Sequence, residues 1–260
     1  MKMLNDSEKK FIDISKEILK QIRKKRPLIH VISNVVTIES LADIILATGG
    51  VPIAAYSPEE VEEVVKKSNA LLLNTGTPDE ERKEAYLKAG IRAKIEGIPV
   101  LLDPVGVGFT SYRSKIFREI MEENLPTVVR MNWGEALYVI KNDKNALKGV
   151  DSLVESGMEE EVRKYAEEKG VVIIITGKKN IVTDGKTTFV TFIGNPLLRF
   201  FTGTGCMLDG VLTTFLAAEE FNVFERMVSG IVLYNYVSLG ISPVNVKQDL
   251  IYRVRTFLQM

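Results

Sequence analysis

Residues 70–104 read ALLLNTGTPDEERKEAYLKAGIRAKIEGIPVLLDP, and their pattern decides the fold. Ala70–Asn74 is a continuous apolar run that ends on a polar residue. Thr77-Pro78-Asp79-Glu80 then carries the cap, proline and first-turn acids of a helix start, and Gly97 stops that helix after about Glu96. Ile98–Asp103 is a second apolar run, again closed by a polar side chain. Strands without polar alternation are buried on both faces, and two of them joined by a helix make a parallel βαβ unit.

The same unit repeats in both directions along the chain. Upstream, Ser7–Lys25 has apolar residues at helical spacing before Pro27, and its basic end, Arg23–Arg26, suits the helix macrodipole. Leu28–Ser33 reads as a strand, followed by a helix from an N-cap at Thr37 to Gly49-Gly50. Val51–Ala55 is strand-like, and Ser57-Pro58-Glu59-Glu60 reads as the next helix start. Downstream come helix Ser111–Glu123, strand Thr127–Arg130, helices Trp133–Ile140 and Met158–Lys169, and strand Val171–Thr176. Lys179–Asp184 and Thr187–Phe192 flank Asp184-Gly185, a hairpin signal that adds an antiparallel edge. Helices Cys206–Glu220, Val223–Leu239 and Val246–Leu258 complete an α/β chain. No linker divides it, so residues 1–260 are expected to form a single domain.

Composition removes several classes of function. Thirty-four basic and 34 acidic residues leave no net charge to attract nucleic acid or an anionic membrane. One cysteine and one histidine provide neither a disulfide nor a multi-histidine or cysteine-rich metal cage. No apolar run approaches the roughly 18 residues of a membrane span, and MKMLNDSEKK has no signal-peptide core. A soluble cytoplasmic protein is expected.

The chemistry-bearing stretch is FFTGTGCMLDG, Phe200–Gly210, where a strand-like segment turns into a helix. Gly203 and Gly205 let a ligand approach the backbone N–H groups at the positive end of that helix, and Cys206 stands at its mouth. A dinucleotide fingerprint requires different glycine spacing early in the chain, and a Walker loop requires Gly-Lys-Ser/Thr. Neither is present. An anion hole built by Gly203, Thr204, Gly205 and Cys206 remains, suited to phosphoryl transfer. Ligands of open α/β sheets lie beyond the C-terminal strand ends. Those ends carry Asn34, Asn74-Thr75-Gly76, Asp103, Arg130 with Asn132 and Glu135, and Thr176-Gly177. Asp103 and Glu135 are the candidate Mg²⁺ acids. Arg130, which shows no structural need for its charge in TVVRMN, is a candidate phosphate clamp. Asp209, one helical turn beyond Cys206, is a candidate auxiliary acid but reads first as a polar residue facing another helix or an interface, and His30 reads as a structural strand histidine.

Taken together, HVISN with Val36-Thr37, ATGGVPI at 47–53, LNTGT at 73–77, LDPVGVG at 102–108, RMNWGE at 130–135, ITG at 175–177 and TGTGC at 202–206 resemble the hydroxyethylthiazole kinase family. The resemblance implies a ribokinase-like three-layer αβα sandwich. It implies ATP-dependent, Mg²⁺-assisted phosphorylation of the thiazole alcohol of thiamine biosynthesis, in a homotrimer with sites between subunits. By position, Arg130, Thr176, Asn132 and Gly177 correspond to the nucleotide site, Asp103 and Glu135 to the metal acids, and Cys206 to the group beside the acceptor. Asn34, Val36, Ala54 and Gly203 correspond to the thiazole pocket. Ala54 replaces the family's usual methionine, which enlarges that pocket. Another ribokinase-like alcohol kinase, acting on a pyrimidine, pyridoxal or a sugar, and a non-catalytic nucleotide-binding protein stand as the alternatives.

Overall fold

The computed structural model describes residues 4–143 and 157–259. Its strands are β1 (Leu28–Ile32), β2 (Val51–Ala54), β3 (Ala70–Asn74), β4 (Val100–Asp103), β5 (Val128–Asn132), β6 (Val172–Thr176), β7 (Asn180–Thr183) and β8 (Thr188–Thr191). Its helices are α1 (Asp6–Lys25), α2 (Ile38–Thr48), α3 (Val61–Lys67), α4 (Glu80–Glu96), α5 (Ser111–Glu122) and α6 (Trp133–Lys141) in the first half. In the second half are α7 (Glu159–Lys169), α8 (Thr204–Leu216), α9 (Val223–Ser238) and α10 (Val246–Thr256). The strands form one sheet in the order β2-β1-β3-β4-β5-β6-β7-β8, parallel through β6 and antiparallel over the last two pairings.

The apolar runs are covered on both sides because successive strand residues face opposite ways. Leu72, Leu101, Val128 and Ile174 pack with α1, α2, α8, α9 and α10. Leu71, Leu73, Leu102, Val129 and Ile175 pack with α3 to α7. Three layers result, as expected. None of the described helices is long and apolar enough to cross a membrane.

Differences from the sequence reading are local. The segment before the glycine turn is a 3-10 helix, Pro196–Phe200, opened by Asn195, whose side chain accepts from Leu197 N. Residues 57–60 form a turn closed by Glu60 N donating to Ser57 O at 3.0 Å, so α3 begins only at Val61. Thr37 precedes α2 without capping it, because its hydroxyl donates to Asn34 Oδ1 at 3.0 Å. The helix placed at Cys206–Glu220 begins at Thr204 and ends at Leu216.

His30, on β1, is fully buried; its Nε2 donates to Ala55 O at 2.8 Å and its Nδ1 has no partner. Burial lowers its pKa to about 4, the Ala55 contact opposing only in part. The folded protein therefore resists a proton that the unfolded chain accepts near pH 6.5. The stability from the neutral ring is complete above that pH and disappears as pH falls towards 4, about 3 kcal/mol in all. Urea titrations of wild type and His30→Gln between pH 7.5 and 4 are expected to diverge by that amount, the wild type losing more.

Candidate active site

The chain leaves β1 for β2 on one side and later returns to lay β3 on the other, so the crevice of this sheet opens beyond β1 and β3. Asn34 stands two residues beyond β1, and Asn74, Asp103 and Arg130 lie at or near the ends of β3, β4 and β5. α8 brings Cys206 and Asp209 down onto them.

A continuous polar chain results. Asn34 Nδ2 donates to Asn74 Oδ1 at 3.0 Å, and Asn74 Nδ2 donates to Asp103 Oδ2 at 2.7 Å. Arg130 Nη2 donates to the same Asp103 oxygen at 2.7 Å and to Asp209 Oδ2 at 2.8 Å, while its Nε reaches Asp209 Oδ1 at 2.8 Å. Cys206 Sγ lies 3.5 Å from Asn34 Nδ2 and 3.6 Å from Asn74 Nδ2. One oxygen each of Asp103 and Asp209 and the Cys206 sulfur sit within 4.8 Å of one another. The charge on Arg130 thus has the structural partner that the sequence did not reveal. Asp209, read as facing a helix or interface, is that partner.

Burial works against the Arg130 charge, but Asp103 and Asp209 beside it push its pKa well up. The Asp103 carboxyl is also raised, chiefly by burial and further by Asp209 and Glu135, with Arg130 opposing. Asp103 Oδ1 is buried without a hydrogen-bond partner, an acceptor open to a cation or a cation-bound water.

Glu135 is held differently. Asn132 caps α6 by accepting from Glu135 N at 2.9 Å, and Glu135 Oε2 accepts from Asn132 N at 2.9 Å in return. Its Oε1 accepts from Gly106 N at 2.8 Å, which fastens the loop after β4 to α6. Burial raises its pKa, opposed by these two N–H groups and Arg130. Arg113, in the first turn of α5, clips the neighbouring loop to this one. Its Nη1 donates to Thr75 O at 2.8 Å and Val105 O at 2.7 Å, and its Nη2 to Gly76 O at 2.7 Å.

The glycine turn faces this framework. Gly203 is the N-cap of α8 at φ +93° and offers no capping side chain; Thr204 N turns back to donate to Phe201 O at 3.4 Å, while the N–H groups of Gly205 and Cys206 have no acceptor among the described residues and stay open to a ligand. The Thr204 hydroxyl is directed backwards, donating to Leu198 O at 2.9 Å and Phe201 O at 3.1 Å, so Thr204 shapes the turn rather than facing its open side. Tyr234 from α9 pins the turn by donating to Thr204 O at 2.6 Å. A Cβ on Gly205 would lie 3.4 Å from Arg130 Nη2, so the guanidinium and the open N–H groups border the same space.

The remaining candidates occupy the flanks. Thr176 Oγ1 donates to Met131 O at 3.3 Å, and Gly177 packs edge-on to Trp133, where a Cβ would be 2.5 Å from the ring. Asn34 Oδ1 accepts from Val36 N, Thr37 N and Thr37 Oγ1 at 3.0–3.1 Å, which leaves its amide nitrogen facing Cys206. Val36 is 66% exposed, and exposed Ala54 ends edge strand β2 in register with Val31, outside the hydrogen-bonded cluster. Asn74, Asp209 and Arg113 were not assigned roles from sequence. Asn74 was marked by its place at a strand end and Asp209 by its spacing of one turn from Cys206; Arg113 carried no signal.

A doubly wound sheet whose strand ends oppose carboxylates and a guanidinium to an uncapped glycine turn is the arrangement of a ribokinase-like small-molecule kinase. A family model described as the hydroxyethylthiazole kinase family matches residues 19–249. The chain is 40% identical over 216 residues to hydroxyethylthiazole kinase of Caldivirga maquilingensis, covering 83% of this chain and 80% of that one. It is 38% identical over 224 residues to the enzyme of a Thermoanaerobacter strain, covering 85% and 84%. Among solved structures, a hydroxyethylthiazole kinase protein from Pyrococcus horikoshii OT3 superposes with a TM-score of 0.82 at 28% identity, covering 94% and 93%. The chain belongs to the hydroxyethylthiazole kinase family.

Proposed function

We propose that this protein transfers the γ-phosphoryl group of ATP to the primary hydroxyl of 4-methyl-5-(2-hydroxyethyl)thiazole, a step of thiamine biosynthesis. The observation that carries the reading is the open N-terminus of α8 set between Arg130 and Cys206. The open N–H groups of the Gly203–Cys206 turn, those of Gly205 and Cys206, hold the transferring phosphoryl where its charge develops. Arg130, kept rigid by Asp209, borders that phosphoryl on the Gly205 side. Thr176, Gly177 and Asn132 line the nucleotide side. Asn34, Val36 and Gly203 receive the thiazole, and Cys206 stands by the accepting hydroxyl.

The donor set suits Mg²⁺. Asp103 offers a buried oxygen with no other partner, and Glu135 stands at the adjoining loop, so these two acids would hold the ion directly or through its waters. When bound, Mg²⁺ neutralises phosphate charge. Asn74 and Arg130 keep the other Asp103 oxygen in place, which fixes the direction of the free one.

The homotrimer belongs to the same proposal. β2 pairs with β1 alone, and Val35, Val36 and Tyr56 are 62%, 66% and 43% exposed beside it. A neighbouring copy over this edge would cover these side chains and close the thiazole pocket at Ala54. Sedimentation showing a fully active monomer would refute shared sites.

A panel of thiazole, pyrimidine, pyridoxal and sugar alcohols with coupled ADP detection tests the substrate. ADP release is expected with the thiazole, and nucleotide binding without ADP release would overturn the enzyme reading. Cys206→Ala is expected to lower kcat by about tenfold or more, with Cys206→Asp keeping or raising it. An unchanged rate in the alanine variant would remove Cys206 from the chemistry.

A further inference from the structure

We infer that Lys247, at the start of α10, is a phosphate-binding residue on the acceptor side of the anion turn, holding the phosphoryl group as it becomes the phosphate of the product. The inference rests on the proposed kinase reaction and adds to it a residue outside every motif of the sequence reading.

Position is the first argument. A Cβ built on Gly203 would stand 3.6 Å from Lys247 Nζ and 2.9 Å from Thr37 Cγ2. The ammonium therefore borders the N-cap of α8 on the side of Thr37 and Asn34. Arg130 borders the same turn on the opposite side, at Gly205. An anion seated on the open N–H groups of Gly205 and Cys206 has a guanidinium at one flank of the turn and an ammonium at the other.

Charge is the second. Arg130 is already paired with two buried carboxylates, Asp103 and Asp209. No ion pair or hydrogen bond of Lys247 to a carboxylate occurs among the described residues. The other ionisable neighbours of the turn are Cys206 and, one turn deeper, Asp209, which Arg130 engages with both of its oxygens. Lys247 is thus a cation at the mouth of the turn with no ion-pair partner among the described residues. Its placement is not left to chance: Val246, the preceding residue, is buried against the core and anchors the first turn of α10.

The chemistry follows from the geometry. As the γ-phosphorus–oxygen bond to ADP breaks and the bond to the accepting oxygen forms, the phosphoryl charge moves from the Arg130 flank towards the Gly203 flank. The hydroxyl proton leaves to Cys206 or water, and Lys247 takes no part in proton transfer. A cation at that end stabilises the transferred group more than the bound ATP.

The test compares wild type, Lys247→Met and Lys247→Arg with Mg·ATP and the thiazole alcohol, and with the phosphorylated thiazole as product inhibitor. For Lys247→Met, kcat is expected to fall about tenfold or more and the product inhibition constant to rise by a similar factor. The thiazole-alcohol KM should stay within about twofold, and Lys247→Arg should recover at least part of both losses. Methionine within about twofold of wild type in kcat and product inhibition would overturn the proposal, as would equal losses in both variants with a lowered melting temperature. A wild type that releases no ADP with the alcohol would instead refute the underlying reaction. An active wild type beside an unaffected Lys247→Met refutes Lys247 alone.

Discussion

Arg130→Ala is expected to lower kcat/KM by about 10³-fold and to destabilise the fold by roughly 3–5 kcal/mol. The stability loss arises because both carboxylates that the arginine satisfies stay behind. Asp103 and Asp209 are 1% and 0% exposed, and their oxygens receive three charge-assisted bonds from one guanidinium. Removing one partner of such a group leaves uncompensated buried charge, which costs far more than a surface pair is worth. For a domain of this size the melting temperature should drop by on the order of 10 °C. The activity loss has a separate origin, since Arg130 also borders the turn at Gly205, where the proposed reaction seats the transferring phosphoryl. Thermal melts and steady-state kinetics on the same preparation check both parts. A folded variant that keeps wild-type kcat/KM would show that Arg130 is structural only.

Gly203→Val is expected to lower kcat/KM by about 10²-fold while leaving most of the stability in place. At φ +93° a β-branched residue is strained, and its Cβ would lie 2.9 Å from Thr37 Cγ2. The turn has to shift, and with it every N–H group that opens towards the ligand. Nothing beneath it has to move, because α8 is anchored below by Met207, Val211 and Leu212 in the core. Kinetics of Gly203→Ala and Gly203→Val beside thermal melts provide the check: activity should fall in that order, with melting temperatures only a few degrees below wild type.

Much of the site was legible from residue type and position. The apolar strands at Ala70–Asn74 and Ile98–Asp103 announced their polar ends, and those ends meet as Asn74 and Asp103 at 2.7 Å. The glycines at 203 and 205 announced an open helix start, and α8 begins there uncapped. What stayed hidden was pairing. TVVRMN gives no sign that Arg130 answers to Asp209, 79 residues later, because that contact depends on α8 packing over the neighbouring strands β3 and β4. Arg113 was equally invisible, since its acceptors are backbone carbonyls and carry no side-chain signature. Lys247 lies at the start of a helix in which nothing local distinguishes it from a solvated lysine.

The sequence by itself determined the layered α/β architecture, because unbroken apolar strands can be buried only by helices on both faces, and Asp184-Gly185 determined the antiparallel edge. It also determined which residue types stand at the strand ends and that a glycine turn opens the helix at residues 203–206. Tertiary structure alone decided which charges are free. By packing α8 over the strand ends it engages Arg130 with Asp103 and Asp209, and by setting α10 beside the turn it leaves Lys247 without an ion-pair partner among the described residues. That division is physical: burial patterns and backbone dihedral preferences act over a few residues, whereas the balance of charge in a site is fixed only when distant segments share the same desolvated space.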